Sequence, residues 1–525
     1  MNIPFILEKA VNLYAQKEAI VSGGKRFTYG EFARRAYKLA NFLRSMGMKK
    51  GDCVAILHQN SHQFLEAYFS AAQLGAIINP LNFRLSPKEL AFILRDSGAM
   101  ILIASRRFTG SVNSLGELGV KINQVIWTGQ GDETNAFEAV DYEDAIKDQA
   151  PGPAPLWEVS DDDVAHLYYT SGTTGEPKGV MLTHKNVCTH ALATIGELRL
   201  SDADRWIHVA PLFHLADAWA TFAVTWVGAR HITIPDFDPP LVLETMQNER
   251  ATITNMIPTM WNLLVNTPTV DSYDFSSLRV VLSGGAPIAP DLARNIMDTF
   301  KCDYIQTYGM TETCPFLTLS ILKENLTRLS PEEQFIYKAK TGRPMIGVLL
   351  KVVKDNGDEV SHDNKEVGEI IVKGDIVTQG YWRRPEETGA AIKDGWLYTG
   401  DLAVIDREGY VNIVDRKKDM IVTGGENVYS TEVENVLYSH PAILEAAVIG
   451  LPDLRWGEAV KAVVVLREGK EATEEEIIHY CKDEIAHYKA PKSVDFISEL
   501  PKTGSGKIYK KGLKERYIHS PQKMG

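Results

Sequence analysis

The sequence predicts an α/β protein in two parts: a large N-terminal unit of parallel-rich sheets with flanking helices plus a β-rich subdomain, then a small α+β C-terminal unit. Three observations carry this. The first third alternates amphipathic helix patterns with short apolar runs. From about residue 341, β-like runs are separated by tight turns. Past the charged stretch "KKDM" at 417–420, helix and strand patterns resume in a separate block. The expected division is therefore 1–416 and 417–525. A chain of 525 residues also exceeds one ordinary core, since domains run to roughly 100–200 residues.

The elements follow from periodicity. In "EFARRAYKLANFLRSMG", Phe32, Ala36, Leu39, Leu43 and Met46 recur every three or four residues, one apolar helix face stopped by Gly47. "DCVAIL" reads as a buried strand, "HQFLEAYFSAAQLGA" as helix, "AIINPL" as strand, and "SPKELAFILRDSG" as a helix capped by Ser86 with Pro87 in its first turn. "AMILIAS" is strand again. Strands spaced by amphipathic helices imply a parallel sheet covered on both faces. Residues 109–160 are looser, and "PGPAP" at 151–155 is linker-like. Beyond 341, "KDNGDE" and "DREGY" punctuate "LLKVV", "GEIIVKG", "LAVID" and "YVNIV", a hairpin texture. In the small unit, "STEVENVLYSHP" is a helix in which Thr431 and Glu434 complete a capping box. "ILEAAVIG" and "AVKAVVVL" are strands, and "TEEEIIHYCKDEIAHYKAP" is a second helix.

Composition excludes several classes. Apolar residues make up 44% and charged residues 24%, an ordinary globular mixture. The net charge of -12 argues against whole-surface nucleic-acid binding. The five cysteines are far apart without a CxxC pair, which disfavours a thiolate metal site and fits a reducing, cytoplasmic setting. The N-terminus lacks a basic segment and a long apolar run, so no secretory signal is expected. No stretch reaches about 18 consecutive apolar residues, so no transmembrane helix is expected either; peripheral membrane contact and a homodimer are both left open.

The chemistry starts from "YYTSGTTGEPKGVMLTH", Tyr168 to His184. Ser171 to Gly179 hold glycines, hydroxyls and Lys178, a mixture unfit for a core. Set between a strand and a helix, such a loop wraps phosphate oxygens with backbone N–H groups, hydroxyls and one cation. A plain surface turn is the alternative. The Walker A pattern GxxxxGK[ST] is not met here, nor in "PKTGSGKI", where Pro501 replaces the first glycine and Ile508 the Ser or Thr. A P-loop ATPase is therefore disfavoured.

The set of motifs resembles the AMP-forming adenylating superfamily of acyl-CoA synthetases, aryl-CoA ligases, peptide-synthetase adenylation domains and beetle luciferase, closest in texture to bacterial or archaeal fatty-acyl-CoA synthetases. "YTSGTTGEPKGV" looks like its phosphate loop. "PLFH" at 211–214, "SGGAPI" at 283–288, "YGMTET" at 308–313, "GYWRRPEET" at 380–388, "YTGDL" at 398–402, "DRKKDMIVTGGENVY" at 415–429 and "PKTGSGKI" at 501–508 follow in the family's order. The resemblance covers essentially the whole chain. It implies that a carboxylate attacks the α-phosphorus of ATP, giving acyl-adenylate and pyrophosphate, and that CoA then takes the acyl group. Both halves rest on positioning and charge neutralisation.

Residue roles follow from the same resemblance. Thr170, Ser171, Gly172, Thr173, Thr174 and Gly175 would cradle the β- and γ-phosphates, with Lys178 anchoring the far side. Gly284, Gly285, Ala286 and Pro287 would let backbone approach adenine. Tyr308 would stack on it, followed by Gly309. Thr311 would donate to the α-phosphate, and Glu312, with Thr170, would hold Mg²⁺. Asp401 and Arg416 would hold the ribose. Lys507 would bridge carboxylate and α-phosphate; alone it would read as a solvated lysine of a basic tail. Lys418 would be the hinge about which the small unit turns between half-reactions, and Gly424 and Gly425 would make room for the pantetheine arm. His214 would gate the carboxylate site; alone it would read as a cap at a strand end.

Peptide-synthetase domains place an Asp just past the His214 motif. Leu215 stands there in this chain and Asp217 two residues on, which weakens an amino-acid substrate. No carrier segment follows the small unit, in keeping with CoA as acceptor. Pocket walls are expected from "HLADAWATFAVTW", "NMIPTMWNLL" and "TCPFLTLS", apolar stretches into which Asp217, Thr313 and Cys314 add polarity. A medium- or long-chain fatty acid is the first expectation for the substrate. Aryl and alicyclic acids come next, and a non-catalytic acyl- or nucleotide-binding relative is the contrasting class.

Overall fold

The computed structural model describes residues 1–131, 136–154, 158–170, 176–286, 288–453, 455–502 and 508–519. Ser171 to Gly175, Pro287 and Lys507 lie outside these residues.

The first helices hold most of their predicted face, and the structure adds a cap the sequence reading lacked. Tyr29–Ser45 starts at a capping box in which Thr28 accepts from the Glu31 N–H and Glu31 accepts from the Thr28 N–H. It buries Phe32, Ala36, Leu39 and Leu43. Met46 does not join that face: it falls just past the helix and is 39% exposed, because Gly47 turns the chain at φ +88°. Pro87–Ser97 is capped by Ser86 and ends at Gly98 in the left-handed region.

Among the described residues the strands form four sheets. A seven-stranded sheet runs Ala139–Asp141, Gln124–Thr128, Ala99–Ser105, Cys53–Leu57, Ile77–Pro80, Val164–Thr170, Lys178–Thr183, parallel except for its last pair. The loose 109–160 stretch thus supplies the outermost strand and its neighbour as well as helix Thr109–Glu117; Gly110, Gly116 and Gly119 blur its periodicity. A nine-stranded sheet has a parallel centre, including Arg205–His208, Ile253–Met256, Val280–Ser283 and Asp303–Gly309. One core joins the facing sides of these sheets, taking Val54, Ile56, Ile78 and Ile103 from the first and Trp206, Ile253 and Leu282 from the second. The alternate residues Ala55 and Leu102, and Ile207 and Val281, pack into separate cores on the outer faces. Burial on both faces is what parallel strands require.

The β-rich stretch forms an antiparallel sheet of Leu349–Val353, Gly368–Lys373, Ile392–Lys393, Trp396–Ile405 and Val411–Arg416. The fourth sheet holds Ile421–Thr423, Glu426–Val428, Ile443–Asp453, Gly457–Leu466 and Ser493–Phe496, covered by helices Ser430–Tyr438 and Glu474–Glu484. Two expectations fail here. Thr431 and Glu434 make no capping box. Asp415 instead accepts from the Ser430 N–H and hydroxyl, while Glu434 accepts from the Val448 N–H at 2.7 Å and pairs with Lys510 at 2.7 Å. A carboxylate from strand Val411–Arg416 takes the place of the local cap. The second helix stops at Glu484 rather than running to 491: Pro491 disfavours helix for its predecessor, and Lys489 is drawn to Glu432. Among the described residues no helix is long and apolar enough to cross a membrane.

Candidate active site

Two of the motifs, at Gly284 and at Tyr308 to Glu312, lie at carboxyl ends of parallel strands, where open α/β sheets place ligands. Val280–Ser283 and Asp303–Gly309 are neighbours, with Ser283 opposite Gln306. Gly284 and Gly285 follow the first strand, and Thr311 and Glu312 follow the second. A Cβ on Gly284 would lie 2.2 Å from the Thr307 hydroxyl oxygen, and one on Gly309 would lie 2.0 Å from the Pro315 carbonyl oxygen. Local packing therefore already demands these two glycines, apart from any ligand.

The Tyr308 hydroxyl donates to Asp401 Oδ2 at 2.7 Å. Asp401 stands opposite Arg416 across adjacent antiparallel strands, with Arg416 Nε 3.3 Å from its Oδ1. Burial, then the Asp401 charge, pushes the Tyr308 hydroxyl well above the usual phenol range. The ring of Tyr308 is thus fixed in plane by the same carboxylate that the sequence assigns to ribose.

Glu312 is 6% exposed, and burial raises its carboxyl pKa. Its Oε1 accepts from the Tyr381 hydroxyl at 2.9 Å. Tyr381 also lies under the Lys178 ammonium, 5.4 Å from ring centroid to Nζ. The segment around Tyr381 is laced to the phosphate-loop strand: Trp382 N–H donates to Gly179 O at 2.7 Å and Met181 N–H to Gly380 O at 3.1 Å. Tyr381 therefore ties Lys178 to Glu312. It sits in "GYWRRPEET", where a tyrosine in the sequence reads equally well as packing.

The glycine-rich loop read as a phosphate cradle departs from expectation in its setting. It joins antiparallel strands Val164–Thr170 and Lys178–Thr183, with Thr170 opposite Lys178, rather than a strand and a helix. The apolar run Val180 to Leu182 is strand because it pairs back onto Leu167 and Tyr168; the helix starts only at His184. As for a metal, no three His, Cys, Asp or Glu side chains group together among the described residues. One buried carboxylate, Glu312, fits Mg²⁺, which is commonly held by one or two carboxylates plus substrate phosphates and water.

His214 caps the four-residue helix Leu215–Ala218, its Nδ1 accepting from the Ala216 N–H at 3.1 Å. Asp217 does not add polarity to a pocket. Its two oxygens accept from Trp206 Nε1 at 3.0 Å and His208 Nδ1 at 2.8 Å. His208 Nε2 meets His231 Nδ1 at 3.0 Å, and His231 Nε2 meets the Thr225 hydroxyl at 3.0 Å. All five side chains are buried. Thr313 is likewise consumed, closing the Met310–Thr313 turn. Of the expected walls, "HLADAWATFAVTW" and "TCPFLTLS" meet: Leu215, Trp219, Phe222 and Cys314 line a seam with Val187 and His190. Its unfilled volume is about 170 Å³, in crevices too narrow for a water molecule. In "NMIPTMWNLL", Trp261 instead packs in the outer core against Phe300, at 5.4 Å.

Lys418 is exposed, next to Lys417, which pairs with Asp355 and Glu369. Gly424 and Gly425, at φ +62° and +86°, make the two-residue turn between Ile421–Thr423 and Glu426–Val428. Among the described residues no hydrogen bond or ion pair joins Lys418, Gly424 or Gly425 to the group around Glu312 and Asp401.

Residues 7–382 match the family described as AMP-binding enzyme, and residues 432–507 match the AMP-binding enzyme C-terminal domain. A feruloyl-CoA synthase of Amycolatopsis sp is 40% identical over 501 residues, 95% of this chain and 96% of that protein. A long-chain-fatty-acid--CoA ligase of Thermus thermophilus is 36% identical over 527 residues, 98% of this chain and 96% of that protein. Among solved structures, ATP-bound MatB from Rhodopseudomonas palustris superposes with a TM-score of 0.87 at 30% identity, covering 99% of both chains.

Proposed function

Taking as premise that this chain belongs to the AMP-binding enzyme family and is an AMP-forming acyl-CoA synthetase, we propose that it activates a compact carboxylic acid, aryl in preference to long-chain aliphatic. In the first half-reaction a carboxylate oxygen bonds to the α-phosphorus of ATP and the bond to pyrophosphate breaks. In the second, the CoA thiol adds to the acyl carbonyl and AMP leaves.

The roles fall to residues as follows. Residues 170–175 and Lys178 hold the β- and γ-phosphates of the leaving group. Thr311 donates to the α-phosphate, and Lys507 neutralises the two anions that must approach each other. Asp401 and Arg416 take the ribose hydroxyls. Gly284, Gly285, Ala286 and Tyr308 flank adenine, and His214 gates the carboxylate. Glu312, with Thr170, would hold Mg²⁺, which when bound neutralises phosphate charge. The small unit begins near 417 and turns about Lys418. It presents Lys507 in one orientation and the turn at Gly424 and Gly425 to pantetheine in the other.

The observation that most supports this reading is the pair of links Lys178–Tyr381–Glu312 and Tyr308–Asp401–Arg416, which connect the phosphate hairpin and the ribose pair to the end of one strand. The aromatic side chains that line the seam, Trp219 and Phe222, support an aryl acid, as does the likeness to a feruloyl-CoA synthase. A fatty acid, the first sequence expectation, remains the second reading because of the Thermus thermophilus relative.

Pyrophosphate release measured over aliphatic acids of increasing length and a series of aryl acids tests the proposal. The highest kcat/KM is expected on an aryl acid. A rise toward long aliphatic chains would overturn the substrate, and no release with any acid would overturn the activity. Lys507→Ala should abolish adenylate formation while thioester forms normally from preformed adenylate; equal loss of both would refute its role.

A further inference from the structure

We propose that His190 is a specificity-determining hydrogen-bond acceptor of the acyl pocket, so that the preferred acid carries a hydroxyl on the part of its acyl group remote from the carboxylate. This rests on the ligase reading above and names the chemistry of its substrate.

His190 lies on helix His184–Leu198, 1% exposed, and lines the seam that begins at Leu215, next to His214, and continues past Trp219 and Phe222. Its Nε2 has no hydrogen-bond partner. Native proteins rarely leave a buried polar atom in that state, and each instance calls for an explanation. Rings fix its plane: Phe316 lies 4.6 Å away and Trp219 5.7 Å away, both edge-on. His166 also has unpartnered nitrogens, but Tyr68, Tyr168 and Phe222 enclose it and it does not line the seam. Thr194 and Thr221, on the two helices flanking the seam, have unpartnered hydroxyls as well. Of these unpartnered groups, His190 is the one that lines the seam.

The sign of that capacity follows from protonation. Burial lowers the His190 pKa to about 3, so the ring is neutral, and the Phe316 backbone carbonyl favours the ring proton on the nitrogen that faces it. Nε2 is left with a lone pair. A lone pair seeks a donor. A phenol or alcohol supplies one; a methyl, an ether or a second carboxylate does not. No protein group supplies that donor, so the hydroxyl is expected on the acid, whose entry has to part the side chains of the seam.

The test compares 4-hydroxycinnamate, 4-methoxycinnamate and cinnamate by adenylate formation with the full chain, its His190→Leu variant and its His190→Gln variant. Wild type should favour the hydroxy acid by about 10–100-fold in kcat/KM over both others, the range for a buried donor–acceptor pair made or lost. His190→Leu should erase the preference while keeping or raising turnover of cinnamate, and His190→Gln, which retains an acceptor oxygen, should restore part of it. Equal wild-type rates on hydroxy and methoxy acids would overturn the proposal without any variant. So would a preference that survives His190→Leu, or turnover of aliphatic acids only; these leave the ligase reading intact. No adenylate from any acid would overturn the ligase reading and this inference with it.

Discussion

Asp217→Ala should destabilise the fold, not strip a substrate contact. The Asp217 carboxylate can only accept hydrogen bonds, which sets the direction of the whole buried chain. Trp206 Nε1–H and His208 Nδ1–H donate to it, His231 Nδ1–H donates to His208 Nε2, and the Thr225 hydroxyl donates to His231 Nε2. Burial holds the His231 pKa well below the usual imidazole range, consistent with the neutral ring this direction needs. Removing the carboxylate leaves two buried N–H groups without acceptors, at about 1–3 kcal/mol each, or about 2–6 kcal/mol together. Asp217→Asn keeps one acceptor oxygen and should cost roughly half as much. Urea unfolding followed by tryptophan fluorescence reads both, with Trp206 a reporter inside the network. Unchanged midpoints in both variants, with selective loss of activity on amino-group-bearing acids, would refute the reasoning and return Asp217 to the substrate pocket.

Two further outcomes are expected. Burial lowers the pKa of His58 and His184 to about 4 and of His166 and His190 to about 3, from 6.5. Below pH 6.5 the unfolded chain then binds more protons than the folded one. Each ring therefore costs about 1.4 kcal/mol of stability per pH unit on the way down to its folded pKa, and nothing above 6.5. Urea midpoints should be flat from pH 7 to 8, as imidazole titration implies, and fall steeply from pH 6 to about 5; a flat acid limb would show these rings to be solvated. Lys418→Pro should trap one orientation of the small unit and slow one half-reaction far more than the other, measured as adenylate formation against thioester formation from preformed adenylate. Normal rates in both would remove the hinge from Lys418.

Much of the fold is written in short-range signals. Ser86 as a cap, Gly47 as a stop, and the apolar runs of the parallel strands each fix their element locally and read as such in the sequence; the Thr28–Glu31 box and the Gly98 stop are equally local. Where a partner distant in sequence decides, the local signal fails. Asp415 outcompetes Glu434 as the cap of Ser430–Tyr438, and the run after Lys178 becomes strand because it pairs back onto Leu167 and Tyr168. The candidate site divides in the same way. The glycine-rich and charged motifs are legible because few other roles suit those residue types together. Tyr381 and His190 are not, since a buried tyrosine or histidine looks the same in sequence whether it packs, bridges or binds. Asp217 fails in the opposite sense: an acid beside a motif suggests a ligand contact, and only the fold reveals Trp206 and His208 waiting for it.

Attack of the acid's own oxygen on the α-phosphorus is tested most directly by isotope transfer. With an aryl acid labelled by ¹⁸O in both carboxylate oxygens, a full turnover with ATP and CoA should place a single ¹⁸O in AMP and none in pyrophosphate. Unlabelled AMP, or label recovered in pyrophosphate or inorganic phosphate, would contradict α-phosphorus attack and with it the roles proposed for the phosphate hairpin, Thr311 and Lys507.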